Sequence, residues 1–125
     1  MKIAIATTGA PRATGPFSQG IITDGLIFTA GQIHLSPDGT LLDAPMEKLV
    51  ERVMENLKAI LADGGAAFAD VLKTTIYVTD MSTYGTINEV YGRYMQEPFP
   101  AREVVCVKEL PLGAKVEISM VAVKR

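Results

Sequence analysis

Pro45-Met46-Glu47-Lys48-Leu49-Val50-Glu51-Arg52-Val53-Met54-Glu55-Asn56-Leu57-Lys58-Ala59-Ile60-Leu61-Ala62-Asp63-Gly64-Gly65 is the stretch whose reading decides the fold. Its apolar residues recur every three or four positions (Met46, Leu49, Val50, Val53, Met54, Leu57, Ile60, Leu61), and Glu47, Lys48, Glu51, Arg52, Glu55 and Lys58 fill the other side. That period predicts an amphipathic helix from Pro45 to about Asp63. Pro45 suits a first helical position, and Gly64-Gly65 supplies a left-handed stop. A helix with one apolar stripe must lie on something flat and apolar, and the flanking sequence supplies it.

On the N-terminal side, Ile3 to Ala6 reads as a short strand, and Pro11, Gly15 and Pro16 punctuate a loop. Ile21 to Thr23 and Leu26 to Ile33 read as strands joined at Asp24-Gly25, a strong hairpin signal. On the C-terminal side, Val71 to Thr79 is rich in β-branched residues and predicts a strand. Tyr84 to Met95 predicts a second helix with Ile87, Val90, Tyr91 and Tyr94 on one face, ended by Pro98 and Pro100. Arg102 to Lys108 and Lys115 to Lys124 predict two more strands around a turn at Pro111-Leu112-Gly113. Two helices cannot cover both faces of five or six strands. The economical arrangement is an α+β layer, a single sheet with both helices on one face. The last strand is apolar on both sides, so its free face calls for a second copy of the chain.

At 125 residues the chain suits a single domain over 1–125. Twelve Lys and Arg against fourteen Asp and Glu leave a net charge of −2, which gives no broad cationic field and argues against a nucleic-acid partner. One cysteine, Cys106, and one histidine, His34, exclude an intrachain disulfide, a thiolate zinc site and a paired-histidine metal motif. The N-terminal apolar run is shorter than a signal peptide needs, and no window reaches the length of a membrane span. The expectation is a cytoplasmic protein.

Pairing the last two strands as an antiparallel hairpin sets Cys106 opposite Glu117, Val104 opposite Ser119 and Arg102 opposite Val121. Side-chain alternation then puts Arg102, Val104, Cys106, Glu117 and Ser119 on one sheet face. A carboxylate at the centre of so apolar a strand is unusual. One reading is a structural ion pair with Arg102 or an edge-strand guard. The other is a small anionic-ligand site, in which Arg102 grips a carboxylate through two hydrogen bonds and Glu117 handles a water or a proton. His34, beside a polar turn, is expected at the surface, and Cys106 is expected to be a buried, inert thiol. The glycine-containing loop 15–20 lacks the lysine of a phosphate loop. Tyr84, Tyr91 and Tyr94 read as core or interface, and no serine has a histidine base beside it.

Six segments carry a resemblance to a known family: Gly15-Pro16-Phe17-Ser18-Gln19-Gly20, Thr29-Ala30-Gly31-Gln32-Ile33, Asp70-Val71-Leu72-Lys73-Thr74-Thr75, Ile87-Asn88-Glu89-Val90-Tyr91, and Phe99-Pro100-Ala101-Arg102 with Val116-Glu117-Ile118. In order and spacing, from about Ala6 to Arg125, they resemble the YjgF/RidA family of reactive enamine/imine deaminases, also labelled endoribonuclease L-PSP or translation inhibitor. The resemblance implies a chorismate-mutase-like fold and a homotrimer whose sheets line a central barrel, with ligand clefts between subunits. It implies cofactor-independent hydrolysis of 2-aminoacrylate, 2-iminobutyrate and related 2-imino acids to 2-keto acids and ammonia.

Carried onto this chain, the resemblance makes Arg102 the carboxylate anchor and Glu117 the residue that positions water. Phe17, Ala30, Gly31, Asn88 and Val104 join Arg102 around the substrate, and no metal is implied. Phe17 stands where many active members carry Tyr, Ala30 where they carry Ser and Val104 where they carry Cys, while Glu103 replaces a small residue. The first three changes leave a more apolar site, suited to a bulkier imino acid. Glu103 is expected by alternation on the face opposite Arg102, where it bears on subunit packing. The competing functions are a non-catalytic trimer that binds 2-keto acids or small carboxylates, and the ribonuclease of the older label, which the acidic composition disfavours.

Overall fold

The computed structural model describes residues 1–125, and it contains a six-stranded mixed sheet and two helices. In chain order the elements are β1 (Ile3–Ile5), β2 (Gly20–Thr23), β3 (Leu26–Thr29), α1 (Met46–Asp63), β4 (Val71–Val78), α2 (Tyr84–Tyr94), β5 (Ala101–Cys106) and β6 (Val116–Val123). The sheet order is β1-β2-β3-β6-β4-β5. Asp24 and Gly25 turn β2 into β3 with positive φ at both positions, 47° and 77°, as the dipeptide predicts. Helix α1 starts at Met46, with Pro45 just outside it in extended backbone. Its end divides the labour of two glycines. Gly65 takes the left-handed φ of +88°, while the Gly65 and Ala66 N–H groups donate to Ala62 and Leu61 carbonyls. Gly64 keeps a helical φ but leaves no room for a side chain, because a Cβ there would sit 2.8 Å from Ile27 and 2.9 Å from Ile5.

The predicted stripe of α1 is the centre of the core: Leu49, Val50, Val53, Met54, Leu57, Ile60 and Leu61 are all buried against Ile27, Ile76, Ile118 and Ala122 of the sheet. Helix α2 adds Ile87, Val90 and Tyr91 on the same face. Burial alternates along β6, with Val116, Ile118, Met120 and Ala122 inward. The outward set on the sheet includes Leu26, Phe28, Tyr77, Val105, Val121 and Val123, none of them buried and two of them, Phe28 and Val105, exposed at 43% and 40%. Lys73 and Glu103 pair across this face at 2.7 Å. The expected layer architecture holds, and so does its uncovered apolar face.

The pairing of the last two strands does not hold. β5 pairs in parallel with β4, which separates it from β6, and β6 runs antiparallel to both β4 and β3. The physical reason is the connection. α2 is a crossover that returns the chain to lay β5 parallel beside β4. The segment 107–115 is then long enough to pass β4 and enter on its other side. The turn at Pro111-Leu112-Gly113, where Leu112 and Gly113 adopt φ of 58° and 73°, is a single bend within that passage and not a hairpin tip.

Candidate functional site

The changed pairing relocates the two charged groups. Arg102 is level with Thr74 of β4, and Glu117 is level with Tyr77. Thr74 and Tyr77 are three residues apart and therefore point to opposite faces. Arg102 lies on the helix-covered side and Glu117 on the open side. They are also separated by two strand spacings and three residue levels, roughly 10 Å in each direction. The expectation that Arg102, Val104 and Cys106 share a face with Glu117 and Ser119 is overturned, and no Arg102–Glu117 ion pair exists within one chain.

Each group anchors its own cavity. Glu117 lines one of about 310 Å³ with Phe17, Gly31, Gln32, Leu112 and Arg12 among its walls. A backbone bridge builds this half: Gln32 N–H donates to the Ile118 carbonyl at 2.8 Å, and Ile118 N–H donates back to Gln32 at 3.0 Å. That bridge brings the Gly31 backbone flush against the Glu117 side chain. A Cβ at Gly31 would lie 2.7 Å from the Glu117 carboxyl carbon, so any side chain there must push the carboxylate out of this position. Glu117 is half-buried, and burial pushes its carboxyl above the ordinary range of 4.5. A carboxyl so placed moves protons at a higher pH than a solvated one.

Arg102 lines a second cavity of about 300 Å³ with Asn88, Tyr91, Gly92, Phe99 and Pro100. Its guanidinium lies over the Tyr91 ring at 5.1 Å and the Tyr84 ring at 5.7 Å, and its Nη2 donates to the Tyr84 hydroxyl at 3.0 Å. Tyr91 is fixed from behind, its hydroxyl donating to Oγ1 of the fully buried Thr74 at 3.0 Å. No carboxylate pairs with Arg102, so most of its five N–H donors remain available to an anion.

The sequence-predicted residues therefore divide. Phe17, Gly31 and Glu117 meet in one cavity, and Asn88 and Arg102 meet in the other. Ala30 stands just outside the first, its N–H bound to the Gln19 carbonyl at 2.9 Å. Val104 is half-buried against the margin of the core and lines neither cavity. Two further expectations are corrected. Cys106 is exposed, because it ends a sheet-edge strand. His34 is 3% exposed, and its ring bridges two segments: Nε2 accepts from the Lys115 N–H at 3.0 Å, which leaves Nδ1 to donate to the Leu42 carbonyl at 3.0 Å. Burial holds its pKa below the usual 6.5. The tyrosine cradle was missed because aromatic residues on a helix face read as core. The signal lay in Tyr84, Asn88 and Tyr91, whose i, i+4, i+7 spacing puts them on one face of α2. No group of three or more His, Cys, Asp or Glu side chains converges to hold a metal ion.

Comparison with known proteins agrees with this architecture. The chain is similar to the 2-iminobutanoate/2-iminopropanoate deaminase of Mus musculus, with 40% identity over 99% of this chain and 93% of that one. Among solved structures, the YjgF gene product of E. coli superposes with a TM-score of 0.92 at 35% identity, over 98% of this chain and 99% of that one. E. coli TdcF with bound serine superposes at 0.93 with 36% identity and the same coverage. The sequence model of Endoribonuclease L-PSP matches residues 7–124. With nearly the whole chain matched in sequence and in fold, the protein belongs to the Endoribonuclease L-PSP family, the YjgF/RidA family.

Proposed function

We propose that the protein hydrolyses 2-imino acids and their enamine tautomers to 2-keto acids and ammonia, in a site closed between copies of the chain. The observation that carries this reading is the separation of its two halves: a guanidinium with no carboxylate partner and a desolvated carboxylate sit at cavities on opposite faces of one protomer. Each has what the other lacks, and a half-buried sheet face remains to be covered. A homotrimer that brings Arg102 of one copy to Glu117 of the next satisfies both demands. The relatives named as deaminases at about 40% identity support the chemistry, and the serine bound to TdcF supports a small amino-acid-like ligand.

In the proposed reaction Arg102 holds the substrate carboxylate and fixes the imine carbon beside Glu117. Water attacks that carbon of the N-protonated imine while Glu117 takes the water proton, forming a neutral carbinolamine. Glu117 returns the proton to nitrogen and the C–N bond breaks. The hydroxyl oxygen becomes the keto oxygen as its proton passes through Glu117 to the departing ammonia, which leaves as ammonium. An imine carbon is already electrophilic, so orientation and one proton relay suffice. Phe17, Ala30 and Val104 bring no hydroxyl or thiol; each missing neutral hydrogen bond is worth only ~0.5–1.5 kcal/mol, so turnover is retuned and not abolished.

The test generates 2-iminobutyrate in situ with an amino-acid oxidase and follows its loss. Wild type clears the imine faster than buffer, and Arg102→Ala lowers kcat/KM by roughly a hundredfold. A wild type no faster than buffer overturns the enzymatic reading. The second reading, a trimer that binds 2-keto acids without turnover, is favoured by the exposed Phe17 ring at the Glu117 cavity. Calorimetric binding of 2-ketobutyrate without imine clearance selects it.

A further inference from the structure

We propose that Tyr84 is a positioning residue that aims the Arg102 guanidinium for a two-point grip on the ligand carboxylate, an inference that rests on the reading of Arg102 as the anion anchor. Arg102 sits near the start of β5, the edge strand of the sheet, where no strand on its outer side confines a long flexible side chain. Two aromatic rings substitute for such a neighbour. Tyr91 lies beneath the guanidinium and is locked by its bond to Thr74, so it fixes the plane of the group but not its rotation within that plane. The rotation is set by the Tyr84 hydroxyl, which accepts from Nη2 at 3.0 Å. One of five N–H donors is thereby committed, and the remaining edge still offers the parallel pair that a carboxylate needs. Tyr84 opens helix α2 and lines neither cavity, so its hydroxyl acts on the ligand through Arg102. At 39% exposed it is unnecessary to the core, which separates this role from packing.

Tyr84→Phe keeps the ring and deletes the bond. KM for 2-iminobutyrate and the Kd of 2-ketobutyrate are expected to rise together, by roughly three- to tenfold, while kcat and the melting temperature stay at wild-type values. In an Arg102→Lys background, which has no planar fork to orient, the same change is expected to have no further effect. Wild-type KM and Kd in Tyr84→Phe overturn the proposal, as does an equal loss in the Arg102→Lys background. A wild-type protein that neither binds 2-ketobutyrate nor clears the imine overturns this proposal and the Arg102 assignment together. One that binds and clears normally, with Tyr84→Phe indistinguishable from it, removes the Tyr84 role alone.

Discussion

The Glu117 half and the Arg102 half are built by different means. Glu117 stands on a strand flanked on both sides by others, and a backbone bridge presses Gly31 onto it. Its position is set by main-chain hydrogen bonds, and its surroundings withhold water from the carboxylate. Arg102 stands on the edge strand and is placed by side chains alone, one ring beneath it and one hydroxyl beside it. A proton relay needs a fixed, partly desolvated carboxyl, whereas an anion anchor needs a reachable cation. The backbone supplies the first and rotatable side chains the second.

This contrast makes the Glu117 half the less forgiving one. Glu117→Gln is expected to lower kcat roughly 10²- to 10⁴-fold with little change in KM, measured by imine clearance. Mixing that variant with Arg102→Ala, after unfolding and refolding them together, is expected to restore activity, because some mixed boundaries then carry both wild-type groups. Failure of the mixture to exceed its components breaks the division into halves on separate copies. Gly31→Ala comes next. It pushes a methyl group into the carboxylate, and an expected loss of roughly 10- to 100-fold in kcat, with 2-ketobutyrate affinity retained, places the damage on the relay and not on the anchor.

The smallest effect concerns stability. His34 ties the 34–42 loop to Lys115, two residues before Glu117, and is held neutral by burial. Its folded pKa lies below 6.5, so the unfolded chain takes up a proton first as pH falls. The stability it contributes is complete above pH 6.5 and declines below that value until the folded pKa is passed. Thermal unfolding followed from pH 7.5 to 5 is expected to show that decline, and His34→Gln to flatten it. Glu117 has the opposite sign: its raised pKa favours the fold at acid pH and costs stability as pH rises above 4.5.

The helices, the hairpin at Asp24-Gly25 and the uncovered sheet face were legible because each is written in local periodicity or turn chemistry. The neighbours of β5 and β6 were not. A proline-glycine turn between two apolar runs has the same appearance whether the chain doubles back or passes over a strand, and only the placement of β4 decides. The chemistry of Arg102 and Glu117 could be read from their residue types in apolar strands, but the face each occupies depends on that undecided pairing. His34 misled in a similar way: polar neighbours at Ser36 and Asp38 suggest exposure, yet both ring nitrogens find backbone partners, one at the end of its own loop and one 81 residues away. Tyr84 and Tyr91 show that an aromatic pair on a helix face acquires its meaning from the cation opposite it.

The contact between Gly31 and Glu117 also limits how this crevice can diversify. Its floor is bare peptide against a carboxyl, and any substitution that adds an atom must push that carboxyl aside, so drift at that spot costs the relay its geometry. Change in which metabolites are accepted falls to the rim, where Phe17 and Leu112 are 55% and 71% exposed and can be exchanged without disturbing the chemistry beneath.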